Sequence, residues 1–346
     1  MGNVTWHKID YTINYDECVE FKRNGIGSSS VAAVLGHDEY KCNLELFYEK
    51  ISGVADDVEA LAALLGVDTE PIIDKWWKHW DGTKNERNLW YNLKNNIIVR
   101  ETEDIKSVCV DDDMPYLHAS MDRRILQYGT FNTPGALECK HTQRFILDKY
   151  ENRIVTGHLL QNLTQIFVPK YEFGEVAYLF ENKKFECHQL HDITPYSELI
   201  ENIKSEIKHF WDCVVAGRKL YTEKIDAEIN FKFKLAADID AEIARIEPPV
   251  QNTDCYLKFL TEKFKNRKAG IGIIKGTEEH YKSAKTHKDL KAQIDNLQSK
   301  LVTEEINLKT ALGDKERMEF EKHIGSGYIT WAKSSNGIRP FLNKVK

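Results

Sequence analysis

No two cysteines of this chain form a CxxC pair, so the usual spacing for a zinc ribbon or an iron–sulfur site is missing. Cys18, Cys42, Cys109, Cys139, Cys187, Cys213 and Cys255 are odd in number and scattered. They read as reduced thiols, which argues against a disulfide framework. No apolar run approaches a membrane span, and the opening MGNVTWHKIDYT lacks the apolar core of a secretory signal. Nor is there an excess of basic charge: 48 Lys and Arg stand against 54 Asp and Glu, a net −6. Any nucleic-acid contact must therefore come from a local distribution of charge and not from the sum. Internal repeats and low-complexity segments are absent as well. These absences predict a soluble, cytoplasmic protein.

What is present supports a sizeable core. The 346 residues are 42% apolar, enough for more than one compact unit. SSSVAAVLG (28–36) reads as a helix start with serines able to cap, and LELFYEKISG as an amphipathic helix closed by Gly53. Residues 58–81 read as a long helix or helix pair, with Pro71 awkward inside it. NNIIVRE, IKSVCVDD, YLHASMDRRILQY and Gly135–Lys140 read as strands of an antiparallel meander. A helix over 157–168, strands in VAYLFEN and FECHQLHDI, and a helix over 195–219 follow. This order predicts an α/β (α+β) domain over 1–234. A charge-rich helical extension over 235–320 is expected next. There Leu290, Ile294, Leu297 and Leu301 make a coiled-coil-like seam suited to a helical hairpin or a docking helix. A terminal β-hairpin over 321–346 closes the chain, turning at SSNG.

The chemistry concentrates in GALECKHTQ, residues 135–143. Side chains alternate along a strand, so Glu138 and Lys140 share a face, and a buried ion pair there carries a desolvation cost that apolar residues avoid. The preceding strand offers Asp122 in HASMDRR. Asp…Glu-x-Lys is the minimal active site of the PD-(D/E)xK nucleases. Two carboxylates hold Mg²⁺, which polarises a phosphate and lowers the pKa of a bound water. The lysine orients or deprotonates that water and offsets charge on phosphorus, with burial near the metal helping to lower its pKa. Alone, this pattern also arises by chance in proteins without such a site.

RNGIGSSSVAAVLG, LELFYEK, GVDTEPIIDKWW, HASMD, LECKH and HLLQNLTQIFV occur in one fixed order over about residues 21–220. That series resembles the phage-type recombination exonucleases, the YqaJ and lambda-exonuclease branch of the PD-(D/E)xK superfamily. The resemblance implies a restriction-endonuclease-like core, a mixed central sheet flanked by helices. It implies metal ligands at Glu70, Asp122, Glu138 and the Cys139 backbone carbonyl, a catalytic Lys140, and Gln161 completing the site. It gives Asp112 a supporting acidic role, although Asp111 and Asp113 make that placement ambiguous. Arg23, Ser29 or Ser30, and Ser120 would contact a DNA 5′-phosphate. The family's SPDG is SMDR here, with Met121 and Arg123 in place of Pro and Gly, and its IGGSD is IGSSS. The implied activity is Mg²⁺-dependent (or Mn²⁺-dependent) 5′→3′ digestion of double-stranded DNA ends. A ring-shaped homo-oligomer, perhaps trimeric, a single-strand annealing partner and a bacterial or phage-infected host cell are implied with it. Rival readings are an endonuclease or single-strand nuclease on the same core, and a non-catalytic DNA-binding scaffold.

Several motifs have plainer explanations. Glu70 suits a helix's first turn, Ser28–Ser30 a plain cap, and Gln161 a satisfied core amide. Trp76, Trp77 and Trp80 at helical spacing read as packing. His188 and His191 lack a third ligand for zinc, and AGIGIIKG lacks phosphate-loop spacing. Lys263, Lys265, Arg267 and Lys268 form a local basic patch able to meet phosphates.

Overall fold

A computed structural model describes residues 3–8, 20–53, 61–83, 85–126, 129, 131–143, 153–181, 184–265, 275–313, 315, 317–320, 327–331 and 341–343. The chain divides into two units, Met1–Asn266 and Arg267–Lys346. In chain order the first contains β1 (Val4–Lys8), β2 (Ile26–Gly27), α1 (Val31–Val34), α2 (Asn43–Ser52), α3 (Leu61–His79) and α4 (Glu86–Lys94). There follow β3 (Thr102–Glu103), β4 (Ser107–Asp111), β5 (Met114–Ala119), β6 (Arg123–Ile125), β7 (Gly135–Thr142), α5 (Thr156–Phe167), β8 (Gly174–Phe180) and β9 (Lys184–Leu190). Three helices complete it: α6 (Ser197–Ile229), α7 (Phe233–Ile243) and α8 (Asp254–Phe264).

The strands form two sheets, and this departs from the expected meander. One sheet has the order β1-β4-β5-β2 and the other β3-β6-β7-β8-β9. Met114–Ala119 belongs to the first and Arg123–Ile125 to the second, so Ser120–Asp122 is the crossing between them. The second sheet is mixed. β6 runs antiparallel to β7, whereas β7 and β8 are parallel and joined through α5, as a parallel pair requires a long crossover. The expected strand NNIIVRE does not form. Ile97, Ile98 and Val99 are exposed there, and the Val99 and Arg100 N–H groups donate to the Lys78 carbonyl at the end of α3.

The second sheet is covered on both faces. On one, α3 and α4 bury Ile73, Trp77, Trp80 and Leu89 against Leu137, Cys139 and Phe173. The tryptophans are thus packing residues, and Arg100 stacks over the Trp77 and Trp80 rings at 5.0 and 4.6 Å. Arg100 also meets Glu175 at 3.0 Å, with both side chains buried. Glu175 further accepts from Trp77 Nε1 at 2.7 Å and contacts His191 Nε2 at 2.7 Å. Burial opposes its charge, but His191, Arg100 and Trp77 together hold its carboxyl below the usual range. The second histidine of HxxH is therefore engaged with a carboxylate in the core.

A larger core joins α2, α5 and α6 to the first sheet through Phe47, Leu117, Leu163, Ile207 and Phe210. Helix α2 ends at Gly53, whose φ of +70° is the left-handed C-cap that favours glycine. Helix α6 passes so close to α2 that a Cβ on Gly217 would lie 2.8 Å from Phe47 and Ile51. The expected boundary at 234 does not coincide with the division of the chain. Ala236, Ile239, Ile243, Cys255 and Tyr256 are buried in this same core, so α7 and α8 belong to the first unit. Lys263 of the expected basic patch is occupied by Glu247 at 2.9 Å and the Tyr48 hydroxyl at 2.8 Å, and Lys265 by Glu262. Arg267 and Lys268 lie outside the described residues.

The second unit holds α9 (Glu278–Leu312) and a sheet of β10 (Arg317–Glu319), β11 (Tyr328–Trp331) and β12 (Phe341–Asn343). Helix α9 opens with a capping box in which Thr277 and His280 satisfy each other's backbone N–H. β11 and β12 pair antiparallel, as the expected hairpin requires, with β10 on the other side of β11. The SSNG turn lies outside the described residues, as does most of AGIGIIKG. Among the described residues no helix is long and apolar enough to cross a membrane.

Candidate active site

Glu138 and Lys140, two apart on β7, project toward α5, which places Gln161 and Gln165 on one face by their four-residue spacing. Glu138 is only 2% exposed. Its Oε1 accepts from Gln161 Nε2 at 2.7 Å and meets Lys140 Nζ at 2.5 Å. Its Oε2 accepts from Gln165 Nε2 at 2.5 Å. The same amide donates to the Ser120 carbonyl at 2.7 Å, tying the sheet crossing to the carboxylate.

The β6–β7 register sets Arg123 against Leu137, which brings Asp122 beside Glu138 and Cys139. Asp122 Oδ2 accepts the Cys139 N–H at 2.7 Å. Glu70 reaches in from α3, where Arg123 Nη1 stands 3.9 Å from it and Arg123 Nε stands 3.6 Å from Asp74. Arg123, which replaces the family's glycine, thus lies between two α3 carboxylates one helical turn apart.

Burial lifts the Asp122 carboxyl well above its usual range, and the nearby Glu138 and Glu70 charges lift it further. Burial also raises Glu70; Arg123 opposes this and Glu138 adds to it. The three carboxylates repel one another in a dehydrated site, where the Lys140 and Arg123 cations stand beside Glu138 and Glu70. Burial alone would lower the Lys140 ammonium, as expected from the sequence, but Glu138 and Asp122 outweigh it and hold its pKa above the ordinary value. The Cys139 thiol is pushed well up by burial, which leaves its carbonyl as the group of interest. Among the described residues no three His, Cys, Asp or Glu side chains stand grouped at metal-binding distance. Glu138 is held instead by Lys140 and the glutamines, Asp122 by a backbone amide, and Glu70 by Arg123.

The other expected residues are placed as follows. Ser28, Ser29 and Ser30 form a single 3₁₀ turn after Gly27, with no side-chain cap bond. Ser28 is buried and donates to the Ser120 carbonyl at 3.2 Å, whereas Ser29 and Ser120 are exposed. Ser29 lines a cleft of about 290 Å³ together with Tyr40, Lys140, Thr142, His158 and Gln161. His158 donates to or accepts from the Tyr178 hydroxyl at 2.9 Å, and burial with the Lys140 charge lowers its pKa to about 3. Arg23 is exposed at the end of the helical segment 20–23 that precedes β2, beside Gly53. The end of that segment is fastened by side chains of α2 and α6. Arg218 on α6 donates to the Lys50 carbonyl at 3.0 Å, to Asn24 Oδ1 at 2.9 Å and to the Arg23 carbonyl, while Lys50 Nζ donates to the Lys22 carbonyl at 2.5 Å.

Asp112 is not brought to the site. It sits exposed in the β4–β5 turn, where its Oδ1 accepts from Thr5 Oγ1 at 2.8 Å, so its partner is β1. Gln165 and Arg218 escaped the sequence reading, which took Arg123 only as a replacement for the family's glycine and Ser28 only as part of a cap. Only Gln165 left a local signal, one turn beyond Gln161.

Known proteins place this arrangement in context. Residues 17–172 match the family described as YqaJ-like viral recombinase domain. An uncharacterised protein, YqaJ, of Bacillus subtilis (strain 168) is 26% identical over 208 residues, covering 59% of this chain and 57% of that protein. This chain therefore matches only a little over half the length of that relative. Among solved structures, the alkaline exonuclease LHK-Exo of Laribacter hongkongensis aligns with a TM-score of 0.44 and 15% identity, over 62% of this chain and 99% of that one. The same enzyme in complex with dAMP aligns with a TM-score of 0.44 and 14% identity, over 61% and 97%. The span matching the YqaJ-like viral recombinase domain model, residues 17–172, supplies Glu70, Asp122, Glu138, Lys140 and both glutamines.

Proposed function

We propose that the chain is a Mg²⁺-dependent deoxyribonuclease that digests double-stranded DNA from a 5′ end, releasing mononucleotides and leaving a 3′ single strand for recombination. The observation that carries this reading is the Glu138 carboxylate held between Lys140, Gln161 and Gln165, with Asp122 across the β6–β7 pair. Glu70, Asp122, Glu138 and the Cys139 carbonyl would hold the ion, an all-oxygen donor set of the kind a hard cation prefers. When bound, it supplies a Lewis acid and a water of lowered pKa.

The chain's own residues do the rest. Gln161 and Gln165 fix the rotamer of Glu138, so its lone pairs keep one direction. Lys140, held charged by its carboxylate neighbours, offsets the negative charge that grows on the scissile phosphate. Arg23 and Ser29, with Ser120, would receive the terminal phosphate. A single-strand annealing protein as partner, assembly as a ring and action in the host cytoplasm belong to the same proposal.

The test is digestion of end-labelled duplexes. Mg²⁺ supports mononucleotide release, EDTA abolishes it, and Lys140→Ala lowers the rate at least about 10³-fold with the fold intact. A 5′-phosphorylated end is preferred to a 5′-hydroxyl, and circular duplex resists. Equal cutting of circles makes the chain an endonuclease; no Mg²⁺-dependent hydrolysis at all leaves it a DNA-binding scaffold.

A further inference from the structure

The 35-residue helix α9 carries an apolar stripe that no described residue covers. Leu290, Ile294, Leu297 and Leu301 are 52, 53, 63 and 68% exposed, at successive spacings of four, three and four. In heptad terms Ile294 and Leu301 occupy one core position and Leu290 and Leu297 the other, which is the seam of a coiled coil. Three residues outward, at the next core position on each side, the same stripe carries His287 on the N-terminal side and Glu304 on the C-terminal side. Neither has a side-chain partner among the described residues. Val302 and Ile306, also exposed, lie off the stripe.

We propose that this face docks a second copy of the same helix, antiparallel, about a two-fold axis between Ile294 and Leu297. The charge arrangement chooses both occupant and direction. In the antiparallel register Ile294 meets Leu297 of the second copy and Leu290 meets Leu301. His287 then meets Glu304, and the reciprocal contacts repeat on the other side of the axis. The stripe is thus complementary to itself, as an isologous contact demands. Four apolar layers are closed at each end by a polar pair of opposite character. Parallel pairing would instead set Glu304 on Glu304 at the seam, where like charges repel, and would leave no acceptor opposite His287. A purely apolar partner helix would leave both polar groups unmatched. The proposal stands apart from the catalytic reading, since it uses no residue of the first unit.

Orientation is read by disulfide cross-linking of full-length chains. Leu290→Cys and Leu301→Cys chains, differently tagged, are mixed and oxidised, with unsubstituted protein as the background control. Antiparallel pairing gives a cross-linked species containing both tags, well above what either variant forms alone. Self-cross-linking of each variant alone as strongly as the mixture overturns the proposal, as does no cross-link above background. Strength is read by sedimentation equilibrium. Ile294→Lys with Leu297→Lys, and separately His287→Glu, weaken self-association at least about tenfold. Adding Glu304→Lys to His287→Glu restores it. Unchanged association in the Lys variants, with helix content retained by circular dichroism, overturns the proposal. DNA digestion by those variants reports separately on the catalytic reading.

Discussion

Glu138 shares its two oxygens among Lys140, Gln161 and Gln165, and this sharing fixes where a buried carboxylate points. Gln165→Leu removes a donor from Glu138 and from the Ser120 carbonyl together. We expect kcat/KM on end-labelled duplex to fall about 10- to 100-fold, with the unfolding midpoint moved far less. Loss of stability without loss of rate per folded molecule would make Gln165 a packing residue. His118 shows a different residue-scale effect. Packed against Phe21 and Gly25, with neither ring nitrogen bonded, it has its pKa lowered to about 3 by burial, with Lys50 and Lys22 adding to the shift. The unfolded chain protonates this group below its ordinary value of about 6.5, while the folded chain does not until about 3. Its contribution is therefore fully present above that ordinary value and is lost as pH falls, by about 1.4 kcal/mol per unit. Urea titrations at pH 7 and pH 5 should show a smaller decline in His118→Leu than in the wild type.

At the scale of elements, two fastenings stand out. Arg218 reaches from α6 to hold the helix end at Arg23 and Asn24. If Arg23 reads a terminal phosphate, Arg218→Met should reduce the preference for 5′-phosphorylated over 5′-hydroxyl ends about tenfold, through misplacement of the contact. An unchanged ratio of the two rates would detach Arg218 from that role. Beneath the second sheet, Arg100 and Glu175 join the loop after α4 to β8 through a fully buried pair. Arg100→Met removes the buried arginine from the Glu175 carboxylate, and the fold should lose about 3–5 kcal/mol. Replacing both, with Glu175→Leu added, should recover part of that in urea denaturation, because removing a pair wholesale leaves no orphaned charge.

For the whole molecule, the decisive feature is where the first core ends. Ile239, Ile243 and Tyr256 are buried with α2 and α6, and each fully buried apolar side chain of this size contributes about 1.5–3 kcal/mol. A chain ended at residue 266 should therefore unfold cooperatively with near-native stability, whereas one ended at 234 should expose that core and aggregate. Light scattering and thermal unfolding of the two distinguish these outcomes. Equal behaviour would mean that α7 and α8 cover the core without supporting it.

Much of the site is legible in sequence because its chemistry is local. Period-two alternation puts Glu138 and Lys140 on one face, and a helical four-residue step aligns Gln161 with Gln165 whatever the surrounding fold. Hydrophobic spacing likewise determines the helices over 43–52, 156–167 and 278–312. Three things were decided only by tertiary structure. The chain leaves one sheet and joins another across Ser120–Asp122, which is how Asp122 comes to face Cys139 and why Asp112 stays behind in the β4–β5 turn, bonded to Thr5 of β1. Arg123 takes a place between Glu70 and Asp74 that its neighbours in sequence do not foretell. The first unit extends to residue 266 because α7 and α8 bury their faces on helices far upstream. Local periodicity specifies which face a residue occupies; which distant surface that face meets depends on packing the whole chain at once.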